Sequence, residues 1–214
     1  NRFSGLNNDT FEKLLGNELK LSYTSINSYY ECAYKYYLKY LLKIKEESTN
    51  LNALFLGNLF HYVLSKVFLG DSDIHSLESE EKELSVSDNI YLKKYEIELK
   101  LLVDLINENR NRSHFKDLYY EKEIEIYNDK KIKVTLTGKI DKVLSFNDGE
   151  FNYLIIIDYK TGNLKVDYNN IVYGLNMQLF MYAYFMNKGN IIPNSKIAGF
   201  YLQNIGHDLL KRED

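Results

Sequence analysis

The sequence predicts an α/β fold in which a small mixed sheet, containing an antiparallel meander, is flanked by helices. Apolar residues recur at helical spacing through the first half of the chain and change to strand-like spacing near residue 119. A further helical segment and a strand follow, with no internal repeat or low-complexity linker. We therefore expect one domain over residues 1–214, with a mainly helical part at 1–110 and a catalytic sheet-and-helix core at 118–205.

The composition is that of a folded globular chain. Its 214 residues are 45% hydrophobic and 27% charged and include one proline, which excludes a disordered or collagen-like chain. The formal net charge of −3 gives no overall attraction to nucleic acids. An enzyme that holds metal ions nevertheless needs an acidic centre, and lysines can still line the approach to it. We expect packing to account for most of the 20 tyrosines.

Three helices are predicted in the N-terminal half. Thr24 or Ser25 is expected to cap the first, which runs to about Lys43 and has a lysine stripe that faces either solvent or phosphates. The second helix, 53–69, is apolar nearly all round and is therefore expected to be buried. The third helix is predicted at 88–110, after an acidic loop.

In the second half of the chain, alternating or continuous apolar residues predict strands that are separated by turn-forming residues. A helix at 168–187 follows the meander, and Pro193 and Asn194 break the chain before a last strand at 196–202. The predicted strands of the meander are 119–127, 132–146 and 151–159.

No segment has the features of a membrane span or a secretion signal. The longest apolar tract, 55–69, is interrupted by polar residues and is shorter than the ~20 apolar residues that a span needs. The single Cys32 cannot form an internal disulfide, so nothing indicates an oxidising compartment. We expect a cytoplasmic protein without a membrane partner. Since the chain begins with Asn and shows no terminating signal, we also expect it to be part of a larger protein.

The most informative polar residues are Asp141, Asp158 and Lys160, which lie on neighbouring strands of the predicted meander. A two-residue turn at 148–149 would pair Asp141 with Ile156 and leave Asp158 on the diagonal, whereas a turn at 149–150 would pair the two carboxylates directly. Both registers place the carboxylates on one face, and an odd-length loop would separate them. Lys160 lies two residues beyond Asp158 and shares its face.

Two carboxylates and an ammonium group at the end of a buried strand indicate a metal-dependent reaction. Their burial is costly without compensation, and a divalent cation compensates them. The set suits phosphodiester hydrolysis, in which carboxylates hold Mg²⁺ and the lysine steers the attacking water or offsets developing charge. In the alternative interpretation Asp158 merely ends a strand and Asp141 pairs with Lys139 or Lys160 at the surface. The spacing leaves both interpretations open.

Three further positions have a functional and a structural interpretation. His61 lies within the apolar second helix, either as a metal ligand or, as we favour from the residues alone, as a hydrogen-bonded core histidine. Gln178 and Tyr182 are four residues apart on one helix face, where they contact a phosphate or base or form ordinary helix surface and core edge. We favour a solvated strand face for the alternating acidic residues of the first strand. These are Glu121, Glu123 and Glu125.

Five short motifs follow one another along most of the chain. They are Leu21-Ser22-Tyr23-Thr24-Ser25 leading into Tyr30-Glu31-Cys32-Ala33-Tyr34-Lys35-Tyr36-Tyr37, Gly57-x-x-x-His61, Gly138-x-Ile140-Asp141, Asp158-Tyr159-Lys160 and Gln178-x-x-x-Tyr182. In this order they resemble the PD-(D/E)xK nuclease superfamily, and within it the RecB-like nuclease domains of bacterial helicase-nucleases, especially the AddB type. The resemblance implies a restriction-endonuclease-like core.

The resemblance also implies an activity and a role for each motif residue. It implies a Mg²⁺- or Mn²⁺-dependent deoxyribonuclease of the exonuclease kind, with DNA as substrate and helicase domains or subunits as partners. The implied metal ligands are His61, Asp141, Asp158 and the main-chain carbonyl of Tyr159. Lys160 would act with Asp158 and Asp141 in catalysis, and Gln178 and Tyr182 would organise the site or contact DNA. The alternative function is that of a catalytically inactive nuclease-fold module that binds DNA or acts as a scaffold.

Cys32 departs from the pattern of relatives that carry an iron–sulfur cluster. Those relatives bind the cluster through a cysteine at this position and three more near the C-terminal end of the domain. Cys32 is the only cysteine here, so this chain alone cannot build such a cluster. Either the other ligands lie beyond residue 214, or the cluster has been lost and Cys32 is a buried small hydrophobe. We favour the second, because Ala33 replaces the proline that usually follows the cluster cysteine.

Overall fold

The computed structural model of the chain describes residues 10, 13, 16, 18–44, 57–58, 60–61, 64–65, 86–129, 133–161 and 168–205. Residues 57, 58, 60, 61, 64 and 65 are helical and are called here the His61 helix. The other elements are β1 (Glu18–Ser22), α1 (Tyr23–Glu31), α2 (Ala33–Tyr36), a π-helical turn (Tyr37–Leu41), α3 (Val86–Arg112), β2 (Lys116–Asp129), β3 (Lys133–Asn147), β4 (Asn152–Lys160), α4 (Tyr168–Val172), α5 (Gln178–Lys188) and β5 (Ser195–Asn204).

The strands form a five-stranded mixed sheet, which confirms the predicted α/β fold class. The strand order is β1-β3-β4-β5, and β2 also pairs with β3. β3 and β4 are antiparallel, whereas β1 is parallel to β3 and β4 is parallel to β5. The short strand β1 was not predicted from the sequence. No described helix is both long enough and apolar enough to cross a bilayer.

Two compact units can be distinguished along the chain. The first unit comprises residues 1–47, 123–139 and 166–193, and the second comprises 48–122, 140–165 and 194–214. Strands β2 and β3 each contribute residues to both units.

Helix α1 of the first unit differs from the predicted first helix in its cap and its length. Ser22, not Thr24 or Ser25, is the N-cap: its hydroxyl accepts from the Ser25 N–H at 3.2 Å, and the Ser25 hydroxyl accepts from the Ser22 N–H at 2.9 Å. This reciprocal arrangement satisfies two N–H groups that a helix start leaves unpaired. The predicted continuous helix to Lys43 is wrong, because Cys32 has an extended backbone with φ −163° and ψ 108° and separates α1 from α2.

The predicted helix at 168–187 is also interrupted. It consists of α4 and α5, and the intervening turn contains Gly174 and Asn176 with φ of 78° and 57°. Left-handed backbone at two nearby positions ends a helix. Helix α5 then packs closely on β3: a Cβ at Gly138 would lie 2.6 Å from a ring carbon of Phe185. The glycine of the Gly138-x-Ile140-Asp141 motif is therefore required by packing.

The second unit contains an apolar core built from the His61 helix and α3. The burial predicted for the second helix is confirmed at Phe60 and Leu64, while residues 53–56, 59, 62–63 and 66–69 of that prediction lie outside the described residues. Helix α3 confirms the prediction at 88–110 with two extra residues at each end. The buried members of this core are Phe60, Leu64, Leu99, Leu102, Val103, Ile106, Tyr159 and Ile205.

The hairpin of β3 and β4 closes through a four-residue loop rather than either predicted two-residue turn. Asn147 pairs with Asn152, which leaves 148–151 outside the ladder. The Asp148 carboxylate accepts from the N–H groups of Glu150 and Phe151 at 2.9 and 2.8 Å. Gly149 has φ of 100°, a conformation that glycine adopts without strain.

The second unit also contains an ion-pair cluster of Arg110, Asp117 and Lys142, in which the side chains of Asp117 and Lys142 are buried. Lys142 Nζ lies 3.0 Å from Asp117 Oδ1, and Arg110 Nε lies 2.5 Å from Asp117 Oδ2. The Lys142 ammonium also lies 5.3 Å from the centre of the Tyr120 ring. Burial lowers the pKa of Lys142, although Asp117 opposes this effect. This cluster therefore joins the end of α3 to β2 and β3 through charges that find their partners within the protein.

Candidate metal centre

The second unit brings the two predicted carboxylates together at one end of the β3–β4 hairpin. Lys142 pairs with Ile157, and this register carried one residue further sets Asp141 opposite Asp158, as the predicted 149–150 turn would have done. Asp158 is 1% exposed. Lys160 Nζ lies 2.5 Å from Asp158 Oδ2, so the predicted catalytic lysine contacts the carboxylate that precedes it in the motif.

Asp141 is held by contacts on both of its oxygens. Its Oδ2 accepts a hydrogen bond from the backbone N–H of Tyr159 at 2.6 Å, which ties the β3 carboxylate to the β4 backbone. Its Oδ1 lies 3.3 Å from His61 Nδ1. The Tyr159 backbone thus participates through its N–H, while the ligand role of its carbonyl stays a prediction.

His61 points at carboxylates rather than into the apolar core. Its Nδ1 lies 3.2 Å from Glu121 Oε1 as well as 3.3 Å from Asp141, and the ring lies edge-on to the Tyr159 ring at 5.8 Å. The side chain is only partly buried. His61 is therefore hydrogen-bonded, as the favoured interpretation expects, but to carboxylates at a partly exposed position rather than within the core, and its role as a metal ligand stays a prediction.

Glu121 joins this cluster although the sequence favoured a solvated strand face for it. That interpretation holds for Glu123 and Glu125, which are exposed, but not for Glu121. Glu121 has φ of 46°, a left-handed conformation in the middle of β2. Such backbone is costly for a residue other than glycine and typically occurs where a side chain is held for function. No sequence signal distinguishes Glu121 from its two neighbours in the pattern.

The ligand atoms of His61, Glu121 and Asp141 all lie within 4.8 Å of one another. Burial alone would lower the pKa of His61, but the hydrogen bonds and charges of Asp141 and Glu121 outweigh it and raise the pKa to about 9. Burial, together with the charge of Asp141, raises the pKa of Asp158 to about 6, although Lys160 opposes this. Asp141 therefore repels Asp158, and Asp158 holds its proton more strongly than an isolated carboxyl group does. A divalent cation suits such a set, because carboxylate oxygens are ordinary ligands of Mg²⁺ and Mn²⁺, and a shell that includes imidazole suits Mn²⁺ better than Mg²⁺.

The two predicted site-organising residues lie in the first unit and contact each other. Gln178 Nε2 donates to the Tyr182 hydroxyl at 2.9 Å, as expected for residues four apart on α5. Tyr182 is buried, and its ring lies 3.2 Å from the position that a Cβ at Gly138 would occupy. The structure therefore explains the spacing of this motif, while contact with DNA stays a prediction.

Comparison with known proteins agrees with this arrangement. Residues 20–209 match the sequence profile of the PD-(D/E)XK nuclease superfamily. The chain belongs to this superfamily. The matched segment includes every motif residue named above.

The curated relatives of this superfamily member include components of helicase-nucleases. The chain is 30% identical to an ATP-dependent helicase/deoxyribonuclease subunit from Clostridium perfringens (strain SM101 / Type A) over 87% of its own length and 19% of the relative. It is 29% identical to the corresponding subunits from Clostridium botulinum (strain Loch Maree / Type A3) and Clostridioides difficile (strain 630), over 79% and 76% of its length and 18% and 17% of theirs. It spans about a fifth of the length of these relatives.

The superfamily member differs from one expectation at Cys32. The thiol was expected to be buried as a small hydrophobe if no cluster exists, but Cys32 is exposed. Because the residue interrupts the helix with an extended backbone, its side chain does not join the packed face of either α1 or α2. The interpretation of Cys32 as a buried core residue is therefore wrong.

Proposed function

We propose that the chain is the nuclease domain of a longer helicase-nuclease and that it hydrolyses DNA phosphodiester bonds with Mg²⁺ or Mn²⁺. The observation that carries the proposal is the convergence of His61, Asp141, Asp158 and Lys160 in the second unit, in a chain of the PD-(D/E)XK superfamily. These residues come from the His61 helix, β3 and β4, and are distant from one another in the sequence.

The metal would be held by His61, Asp141, Asp158 and the main-chain carbonyl of Tyr159, and Glu121 is close enough to His61 to join them. A bound divalent cation polarises a phosphate oxygen and lowers the pKa of a coordinated water. The chain itself keeps the carboxylates in place, because Asp141 is fixed by the Tyr159 N–H and Asp158 is enclosed by the hairpin. The negative charges of these carboxylates repel one another, and the same charges attract the cation.

Lys160 would act on the reacting phosphate. Its ammonium group contacts Asp158 yet its side chain is partly exposed, so it can also reach a substrate at the surface. A fixed positive charge that faces the developing charge of a phosphoryl transition state accelerates the reaction. Gln178 and Tyr182 would organise the site or contact the DNA.

The parent protein and its setting follow from the relatives. Their printed names describe ATP-dependent helicase/deoxyribonuclease subunits, so we infer that helicase domains or subunits accompany this chain and supply it with DNA. We also infer an exonuclease and a cytoplasmic location, as the motif resemblance implies for the activity and as the single cysteine and the lack of a secretion signal suggest for the location.

Mn²⁺ titration calorimetry and cleavage of a labelled oligonucleotide test the proposal together. Three proteins are compared: the wild type, Asp158→Asn and Glu123→Gln, the last being a matched control because Glu123 lies on β2 but is exposed. We expect the control to bind Mn²⁺ and cleave as the wild type does, and Asp158→Asn to lose both. Equal Mn²⁺ binding by all three would refute the metal centre. Mn²⁺ and DNA binding without cleavage by the wild type would favour the inactive DNA-binding module.

A further inference from the structure

Helix α3 carries apolar side chains on two faces, of which only one is covered in the described part of the chain. The first face supplies buried residues to the core of the second unit. The second face exposes Ile97, Leu101 and Leu105, whose side chains are 48% to 67% accessible to solvent. Single exposed apolar residues are ordinary on a protein surface, but three on successive turns of one helix form a contiguous patch. We call these three residues the aliphatic stripe.

The aliphatic stripe has a defined length and a polar border. Its members are four residues apart, so they form one ridge on the helix surface that extends over about 12 Å. In the sequence, Lys93 and Asn109 hold the next positions of this row, so the stripe ends at polar residues. The neighbouring row on the helix is charged and exposed, and consists of Lys100, Asp104 and Glu108. An apolar centre with a polar border is typical of a surface that another protein segment covers.

The size of the aliphatic stripe limits what can cover it. A stable interface between separate proteins buries about 800 Å² on each partner, and three partly exposed aliphatic side chains offer far less than that. The stripe alone would therefore not hold a second copy of the chain or a separate protein. A segment of the same polypeptide docks intramolecularly, at an effective concentration that reaches the millimolar range, so a smaller contact is sufficient for it.

We propose that an apolar helix from another part of the parent polypeptide docks on the aliphatic stripe. A ridge of residues four apart fits the groove between two such ridges on a second helix, so the occupant is a helix with apolar residues at the same spacing. The chain spans about a fifth of the length of its relatives, which leaves ample parent chain to supply one. The proposal rests on the longer parent of the proposed function and adds that the nuclease domain is docked on the rest of that parent rather than only tethered to it.

Thiol labelling of the 214-residue chain and of the full-length parent tests this proposal. Leu101→Cys is introduced into both proteins, and its modification by a maleimide is followed by mass spectrometry of the peptide that contains it. We expect labelling to be at least roughly 10-fold slower in the parent, as when the undocked form is populated to about 10% or less. Lys100→Cys is the matched control, because it is exposed on the same turn but outside the aliphatic stripe, and it should be slowed much less.

A charge placed in the aliphatic stripe tests whether apolar contact causes the protection. Burial of an unpaired carboxylate is costly, so Leu105→Glu should return the labelling of Leu101→Cys in the parent to the rate of the isolated chain. Asn111→Asp adds the same charge at an exposed position outside the stripe and should leave the protection unchanged. Urea denaturation of the isolated chain checks that each variant is folded, and Leu105→Gln replaces Leu105→Glu if the latter lowers the midpoint.

Several results would overturn the proposal. They are equal labelling of Leu101→Cys in the two proteins, an equal slowing of Lys100→Cys, protection that survives Leu105→Glu, or slow labelling already in the isolated chain. The last result would mean that another part of the 214-residue chain covers the stripe or, if it depends on protein concentration, that a second copy does. Mn²⁺-dependent cleavage by the isolated chain is measured separately. Cleavage without protection in the parent would refute the docking and leave the nuclease function intact, whereas protection without cleavage would do the reverse.

Discussion

Two clusters of buried charge lie on β3 and differ in how their charges are balanced. Lys142 belongs to the ion-pair cluster, whose cations share the carboxylate of Asp117. Asp141, the preceding residue, belongs to the candidate metal centre, in which three carboxylates face His61 and Lys160. Consecutive residues of a strand point to opposite faces, so one strand separates the two clusters.

The difference shows that burial of a charge does not by itself indicate function. In the ion-pair cluster two cations contact one carboxylate, which is how a protein keeps a buried carboxylate without a ligand. In the metal centre burial and the charge of Asp141 raise the pKa of Asp158 to about 6, and the contacts of Asp141 and Glu121 raise the pKa of His61 against the effect of its burial. An excess of carboxylates, rather than the burial of charge, indicates the place of a cation.

The largest expected effect is on stability, in the ion-pair cluster. Asp117→Asn leaves the buried Lys142 ammonium without its counter-charge, so we expect the free energy of unfolding to fall by about 3–5 kcal/mol. Urea denaturation in EDTA measures it. The exposed surface pair of Arg112 and Glu108 provides the control, since Glu108→Gln should change stability by less than about 1 kcal/mol. Similar losses of unfolding free energy in the two variants would show that the ion-pair cluster stabilises the protein no more than a surface pair does.

The next effect is on cleavage, at Lys160. Lys160→Gln removes the charge that we propose to face the reacting phosphate, so we expect cleavage to fall about 100-fold or more while Mn²⁺ binding survives or strengthens. Lys139→Gln, an exposed lysine of β3, is the control. Single-turnover cleavage at matched protein and salt concentrations measures the rates. A larger loss in the Lys139 variant would transfer the role to that residue.

A smaller effect is expected at Glu121, the residue that sequence reasoning assigned to solvent. Glu121→Gln keeps the size of the side chain and its place beside His61 but removes one negative charge. We expect Mn²⁺ affinity to fall roughly 10-fold, the scale of losing a group that supports a metal ligand. Calorimetric titration beside Glu123→Gln measures it, and equal affinities would exclude Glu121 from the metal centre.

The smallest effect is on stability, in the metal centre itself. Removal of the Asp158 charge relieves its repulsion from Asp141 but also removes its attraction to Lys160. The free energy of unfolding of the metal-free Asp158→Asn variant should therefore lie within about 1 kcal/mol of the wild-type value or above it, because the lost repulsion and the lost attraction offset each other. Urea denaturation in EDTA is again the measurement. A loss as large as that of Asp117→Asn would show that both clusters are structural.

Local patterns predicted the elements that they determine. The alternation of apolar and polar residues, together with the turn residues, was sufficient to predict the β3–β4 hairpin. It also predicted the shared face of Asp141 and Asp158, because that face depends only on whether the loop has an even or odd number of residues. Apolar periodicity was sufficient for α3. The motif order was sufficient to predict the superfamily, whose profile matches residues 20–209.

The parts that were missed depend on backbone conformations or distant partners. Ser22 competes with two neighbouring hydroxyl residues for the cap, and only the reciprocal bond with Ser25 decides between them. The break at Cys32 has no glycine or proline to signal it. Glu121 turns towards His61 through a left-handed backbone that its residue type disfavours. Strand β1 depends on pairing with β3, which lies far along the chain, so its own residues do not reveal it.

The pairing of β3 with both β4 and β1 has a consequence for how the protein folds. The β3–β4 hairpin closes across residues 148–151. Strand β1 is much farther from β3 in the sequence, and its pairing begins with Glu18 beside Lys133. Loop-closure entropy rises with loop length and local contacts form faster, so the hairpin should form before β1 docks. The two carboxylates would then be juxtaposed early in refolding. Pulsed hydrogen exchange should show amides of the hairpin protected before those of 18–22, and the reverse order would contradict this sequence of events.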